Sequence, residues 1–272
     1  MNPIHRAVTL VCAASALVAA GAFAQQPSST EQAIEKYREA VSEDNPAELW
    51  EARGEALWKE QRGPKHVSLE QCDIGLGPGV VKGAYTVLPK YFADTGKVQD
   101  LESRLVTCMD KLQGIPPEEA KKNHFGNGPK KSVMEALVSY IASESRGMPM
   151  HVSLSRPEEK EAYEIGKRMF FYRAGPHDFS CATCHSHDKL RIRLQDLPNL
   201  TTKAGAQKAY TTWPAYRVSQ GELRTFEWRL NDCFRQQRFP YPGYASDVTI
   251  ALGVFMGVNA KGAESIAPAI KR

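Results

Sequence analysis

One pattern of residues runs twice through this chain of 272 residues. The first copy reads Pro89-x-Tyr91-x4-Gly96-x4-Leu101-Glu102-x-Arg104-Leu105-x-x-Cys108. The second reads Pro214-x-Tyr216-x4-Gly221-x4-Phe226-Glu227-x-Arg229-Leu230-x-x-Cys233, so that Pro89 to Pro214 and every later pair are displaced by 125. Upstream, Gly54 and Trp58 answer Gly166 and Phe170; downstream, Ala136-Leu137-x-x-Tyr140 answers Ala251-Leu252-x-x-Phe255. Self-similarity of this kind means two copies of one structural unit, each ordered as opening helix, cysteine segment, loop, second cysteine and closing helix. Gly147, Pro149 and Pro157 interrupt helical periodicity between the copies and mark a linker near 147–157. After it, Ser155-Arg156-Pro157-Glu158 predicts a capped helix reaching Phe171, with Gly166 and Phe170 on one face.

With 35 basic against 31 acidic side chains, a net charge of +4 and no basic stripe, nucleic acid is excluded as a partner. Apolar runs are absent beyond residue 24, which excludes a multi-span membrane protein. The first 24 residues read as an export signal: Arg6 closes a short positive region, an Ala-rich apolar stretch follows, and Ala22-Phe23-Ala24 fits the small-x-small cleavage rule before Gln25. Cleavage there predicts a periplasmic protein without a membrane anchor. It also removes Cys12 from the six cysteines and leaves five, an odd number for an oxidising compartment.

Cys181-Ala182-Thr183-Cys184-His185 is the strongest local motif. Two cysteines three apart on one helical turn capture the two vinyl groups of haem as thioethers, and the adjacent histidine ligates the iron. A redox dithiol or half a zinc site needs no His185, and no second C-x-x-C or H-x3-H pair completes a zinc tetrad. The motif therefore predicts one covalently bound haem c in the second copy, and the motif and repeat together predict a mostly α protein of two tandem cytochrome c-like domains. Their ranges are about 25–150 and 151–272, after a signal peptide over 1–24.

Where the second copy has C-A-T-C-H, the first has Cys72-Asp73-Ile74-Gly75-Leu76, so one thioether cysteine and the iron-binding histidine are missing. That domain is expected to lack haem. By the repeat, Cys72 and Cys108 then flank a vacated cofactor space, and a disulfide between them is expected in preference to two free buried thiols. The remaining cysteine, Cys233, falls on the distal side of the haem as the candidate second axial ligand. Met256 is the alternative; it lies within the closing helical pattern, where methionine commonly fills core.

These features together resemble the SoxA family: the C-A-T-C-H motif, R-L-x-x-C-F from Arg229 to Phe234, the degenerate C-D-I-G-L-G-P-G from Cys72 to Gly79, and the exported two-domain layout. SoxA proteins are cytochrome subunits of the thiosulfate-oxidising SoxAX complex; some carry two haems, and the missing first motif is similar to the single-haem branch. The resemblance implies that Cys233 is both haem ligand and active-site cysteine, carried as a persulfide, and that Arg229 contacts substrate. It implies the reaction too: thiosulfate is joined oxidatively to a cysteine of the carrier protein SoxY, with electrons leaving through haem to the cytochrome SoxX. Arg224, Arg235 and Arg238 add positive charge to the segment around Arg229. Two other functions stay open, an electron-carrier cytochrome without sulfur transfer and a partner-binding subunit whose haem only stabilises the fold.

Overall fold

The computed structural model describes residues 45–124, 132–192 and 195–271, together with residues 32, 33, 36, 37 and 40. The export segment over 1–24 and its cleavage site lie outside the described residues. Residues 40–272 form one compact unit. In chain order its elements are α1 (Ala47–Lys59), β1 (Lys90–Phe92), β2 (Lys97–Gln99), α2 (Leu101–Cys108), α3 (Pro117–His124), α4 (Val133–Ser143) and α5 (Pro157–Phe171). They continue with α6 (Cys181–His185), β3 (Arg191–Ile192), β4 (Gln195–Asp196), α7 (Lys203–Tyr210), β5 (Ala215–Arg217), β6 (Glu222–Arg224), α8 (Phe226–Gln236), α9 (Asp247–Asn259) and β7 (Ala269–Lys271).

The matched residues of the two copies occupy matched elements. Hairpin β1–β2 pairs Lys90 with Gln99, and hairpin β5–β6 pairs Ala215 with Arg224, at the same displacement of 125. Each hairpin feeds a capped helix: Asp100 accepts from Ser103 N–H at the start of α2, and Thr225 accepts from Trp228 N–H at the start of α8. The opening and closing helices cross in the same way in both copies. A Cβ on Gly54 would run into the Ala136 carbonyl of α4, and one on Gly166 would run into the Ala251 carbonyl of α9. Only glycine lets the backbones approach so closely, which explains why this residue recurs at a helix interior that otherwise disfavours it. Phe170, one turn on, is fully buried against Phe255 at a centroid distance of 5.3 Å.

The cap of α5 differs by one residue from the sequence expectation. Arg156 rather than Ser155 is the cap, and Glu159 rather than Glu158 reaches back, accepting from Arg156 N–H at 3.2 Å. Pro157 takes the first helical position, where its missing N–H costs nothing, and so sets the register. The segment expected as a linker is hydrogen-bonded along its first part. Gly147 N–H donates to Ser265 O at 2.8 Å, Ser265 N–H to Met148 O at 2.9 Å, and Met150 N–H to Ala263 O at 2.9 Å. The chain end then adds β7 parallel to β5, forming a three-stranded sheet.

Side chains also join the copies. Tyr85 donates its hydroxyl to Trp213 O at 2.8 Å, and Arg224 pairs with buried Glu135 at 2.9 Å. Three carboxyl groups, Asp100, Glu102 and Glu227, are buried together where the starts of α2 and α8 meet. Glu102 and Glu227 are the same position of the repeat, each in the first turn of its helix, where the dipole favours an acidic side chain. Burial outweighs that help. Burial first, then Asp100, pushes Glu102 up to about 8, and burial followed by Asp100 and Glu102 holds Glu227 well above the carboxylate range. Because the folded-state value of Glu102 is raised, its protonated form stabilises the fold fully below the ordinary value of 4.5, and that contribution is lost as pH rises through about 8. Stability to urea is therefore expected to fall between pH 5 and pH 9 by on the order of 4 kcal/mol, and Glu102→Gln is expected to flatten that fall. An unchanged slope in the Gln variant would assign the pH dependence to other groups.

Candidate active site

The C-A-T-C-H segment folds as the short helix α6 because Ser180 closes its first turn. Ser180 Oγ accepts from Thr183 N–H at 3.2 Å, and Thr183 Oγ1 accepts from Ser180 N–H at 3.0 Å. This turn brings Cys181 and Cys184 onto one side with His185 next to them. His185 Nδ1 lies 3.0 Å from Pro198 O. A carbonyl can only accept, so Nδ1 carries the proton and Nε2 keeps its lone pair for a metal. Burial, opposed by the Pro198 contact and aided by the charge of Arg229, holds the imidazole below its ordinary value, so it is neutral and able to ligate.

Cys233 is carried on α8 by the packing of Leu230 and Phe234 into the core that holds Phe170, Ala182, Leu252 and Phe255. Cys233 is half-buried and close enough to Cys184 for their charges to interact; the burial it has pushes its thiol up, and Arg229 pulls it down. Cys181 is pushed up to about 12 by burial and by the neighbouring Cys233 and Cys184. None of the three is disulfide-bonded. Two thiols on one helical turn, a histidine with a free Nε2 and a third, half-buried thiol close to them form a donor set that fits a haem c, which the thiols of Cys181 and Cys184 would hold and the nitrogen and sulfur of His185 and Cys233 would ligate. Met256 is placed in the hydrophobic core of α9 beside Leu252 and Phe255.

The arginines separate by role. Arg229 keeps one contact, Nη1 to Asp232 Oδ2 at 3.3 Å, and its side chain is 27% exposed. Arg224, counted with it in the sequence, is instead committed to Glu135 and stacks over Trp228 at 4.9 Å. Arg235 is exposed and takes the other oxygen of Asp232 at 2.6 Å. Arg217, which the sequence reading passed over, also borders this group; its charge acts on both Arg229 and Cys233. The signal that could have found it was the repeat, which pairs Arg217 with Phe92.

In the first copy the corresponding place is closed. Cys72 and Cys108 are joined by a disulfide with Cα atoms 5.7 Å apart. The loop after Cys72 turns on Gly75 and Gly77, both at positive φ, whose N–H groups donate to Asp73 Oδ1 at 2.8 and 3.0 Å. Leu69, Ile74, Leu105 and Met109, all fully buried, fill the interior.

Among the described residues, no helix is long and apolar enough to cross a membrane. Residues 53–150, the copy without C-x-x-C-H, match the SoxA/TsdA cytochrome c domain. The whole chain is 53% identical to the L-cysteine S-thiosulfotransferase subunit SoxA of Hydrogenophilus thermoluteolus, with 100% of both chains covered. It is 33% identical to the protein of the same name from Hydrogenobacter thermophilus over 92% of each chain. In fold it is similar to the crystal structure of SoxXA from P. pantotrophus, with a TM-score of 0.71 at 24% identity, covering 87% of this chain and 84% of that one. A cytochrome c-like frame with full-length relatives of this kind makes the chain a member of the SoxA family of L-cysteine S-thiosulfotransferase subunits.

Proposed function

We propose that this chain is the single-haem, sulfur-transferring cytochrome of a periplasmic SoxAX complex. It is built as two tandem cytochrome c-like domains, about residues 25–150 and 151–272, behind a signal peptide over 1–24. The first domain lacks haem and is held by the Cys72–Cys108 disulfide. In the second, Cys181 and Cys184 would hold one haem c covalently, and His185 and Cys233 would ligate its iron. The observation that carries this reading is the half-buried, unbonded Cys233, close to Cys184 and with the Arg229 charge beside it.

Thiosulfate is a dianion, and the Arg229 guanidinium binds it by charge-assisted hydrogen bonds that orient its outer sulfur toward Cys233. The overall reaction joins that sulfur to the SoxY cysteine: RSH + S2O3(2−) gives RS–S–SO3(−), one proton and two electrons. The S–H bond breaks, the S–S bond forms, and the proton passes to solvent. Haem c, when bound, supplies the one-electron acceptor through which the electrons leave in turn to SoxX. Cys233, carried between the core residues Leu230 and Phe234 with the Arg229 charge opposing the upward push of burial on its thiol, presents a sulfur that can carry the transferred group. His185, fixed by Pro198, is held with its Nε2 free to ligate.

The haem-loaded protein is expected to contain one haem per chain that acid acetone does not extract, with a low-spin thiolate signature in its electron paramagnetic resonance spectrum. It is expected to reduce SoxX only when thiosulfate and SoxY are both present. Two haems, an extractable haem, or thiosulfate oxidation that ignores SoxY would each overturn the proposal.

A further inference from the structure

The displacement of 125 pairs Phe92 with Arg217, Asp94 with Ser219 and Arg104 with Arg229, and these pairs sit in matched strands, turns and helices. In the first copy the arginine is fully occupied. Arg104 lies over the Phe92 ring at 4.1 Å, pairs with Asp94 at 2.8 Å, and donates through Nε to Asp73 O. The second copy has neither the carboxylate nor the ring at the matched positions. Asp94 becomes Ser219, and the aromatic under the guanidinium becomes a second guanidinium, Arg217.

The remaining counter-charge is shared. Asp232, which Arg229 touches at 3.3 Å, also takes Arg235 and Gln236 at 2.6 Å each. Across the sheet Arg217 is flanked in register by Glu222 on one side and Lys271 on the other, one charge of each sign. Its Nε is buried and has no hydrogen-bond partner. An unpaired buried donor of this kind is costly unless something fills it.

We propose that Arg217 is a second substrate-binding residue, forming with Arg229 a two-guanidinium cradle for the thiosulfate dianion beside Cys233. The inference deepens the function proposed above and rests on that reading of the site. The Nε and one Nη of a guanidinium form a fork that matches two oxygens of a sulfonate-like group, while a second guanidinium takes the remaining charge. Electrostatics agree with the geometry. Burial, then repulsion by Arg229, holds Arg217 below the ordinary guanidinium value, as expected of two like charges waiting for an anion; Asp232 and Cys233 act the other way.

The test is calorimetric titration of the haem-loaded full chain, in complex with its cytochrome partner, with sodium thiosulfate and separately with the monoanion thiocyanate. Arg217→Gln is expected to weaken thiosulfate binding about tenfold, to weaken thiocyanate binding less, and to leave the haem spectrum unchanged. Arg217→Lys, which keeps the charge and loses the fork, is expected to fall between the two. If Arg217→Gln does not hold its haem, Arg217→Phe, the residue type that the first copy carries at this place, is the variant to titrate. Unchanged thiosulfate affinity in a variant with a native spectrum, or equal weakening for both anions, would overturn the inference. The titration reads anion binding alone, so a wild-type protein that fails to transfer sulfur to SoxY would count against the proposed function and leave the binding result standing.

Discussion

Changing Cys233 to methionine is expected to leave a folded, haem-bearing protein that has lost sulfur transfer. In the proposed site covalent attachment would depend on Cys181 and Cys184, and ligation from their side on His185, whose Nδ1 stays fixed by Pro198. None of these is on α8. A thioether in place of a thiolate removes a negative charge from the iron, so the reduction potential should rise and the thiolate bands should vanish. It also removes the sulfur that carries the transferred group. Turnover with thiosulfate and SoxY should fall by about 10³-fold or more, the scale on which loss of a covalent catalyst acts. Met256→Ala, by contrast, should cost stability through a cavity in the core of α9 and leave the spectrum alone. If the Cys233 variant kept both spectrum and activity while Met256→Ala altered them, the ligand would be Met256 and the chain an electron carrier.

The double variant Cys72→Ala, Cys108→Ala is expected to lose roughly 3 to 4 kcal/mol of stability, with its haem spectrum and its activity at low temperature intact. The bond closes a loop with a sequence separation of 36, and both cysteines are buried, at 1% and 5% exposure, in the core built by Leu69, Ile74, Leu105 and Met109. Removing it frees the unfolded chain and leaves two small voids in the core. Denaturant unfolding followed by far-ultraviolet circular dichroism, beside the haem absorbance, measures both effects. Equal stability in the variant would mean that the cross-link constrains nothing. Loss of haem absorbance in the native state would mean that the first copy supports the second site directly.

Much of the site is legible in the linear chain because its chemistry is local. C-A-T-C-H is a single helical turn, so the two cysteines and the histidine that meet there are neighbours in sequence. The recurrence of Gly54 as Gly166 and of Cys108 as Cys233 is likewise visible without coordinates, because a repeated unit reuses the same contacts at the same spacing. Hairpins β1–β2 and β5–β6 escaped notice: each strand has only three residues, too few for an alternating pattern to stand out.

Which charges are spent and which are available could be decided only by the tertiary structure. Arg224 and Arg229 look alike in sequence, yet Arg224 is consumed by Glu135, a residue 89 positions away. Arg217 on β5 and Arg229 on α8 come close enough for their charges to interact, and the three carboxyls Asp100, Glu102 and Glu227 are brought together by the meeting of two helix starts. Sequence alone determined the C-A-T-C-H motif, the repeat and the odd cysteine, since each depends on residue type and spacing. Packing decided the electrostatics, because the energy of a charge depends on how much water surrounds it and what lies within a few ångströms, and both are set by segments distant along the chain.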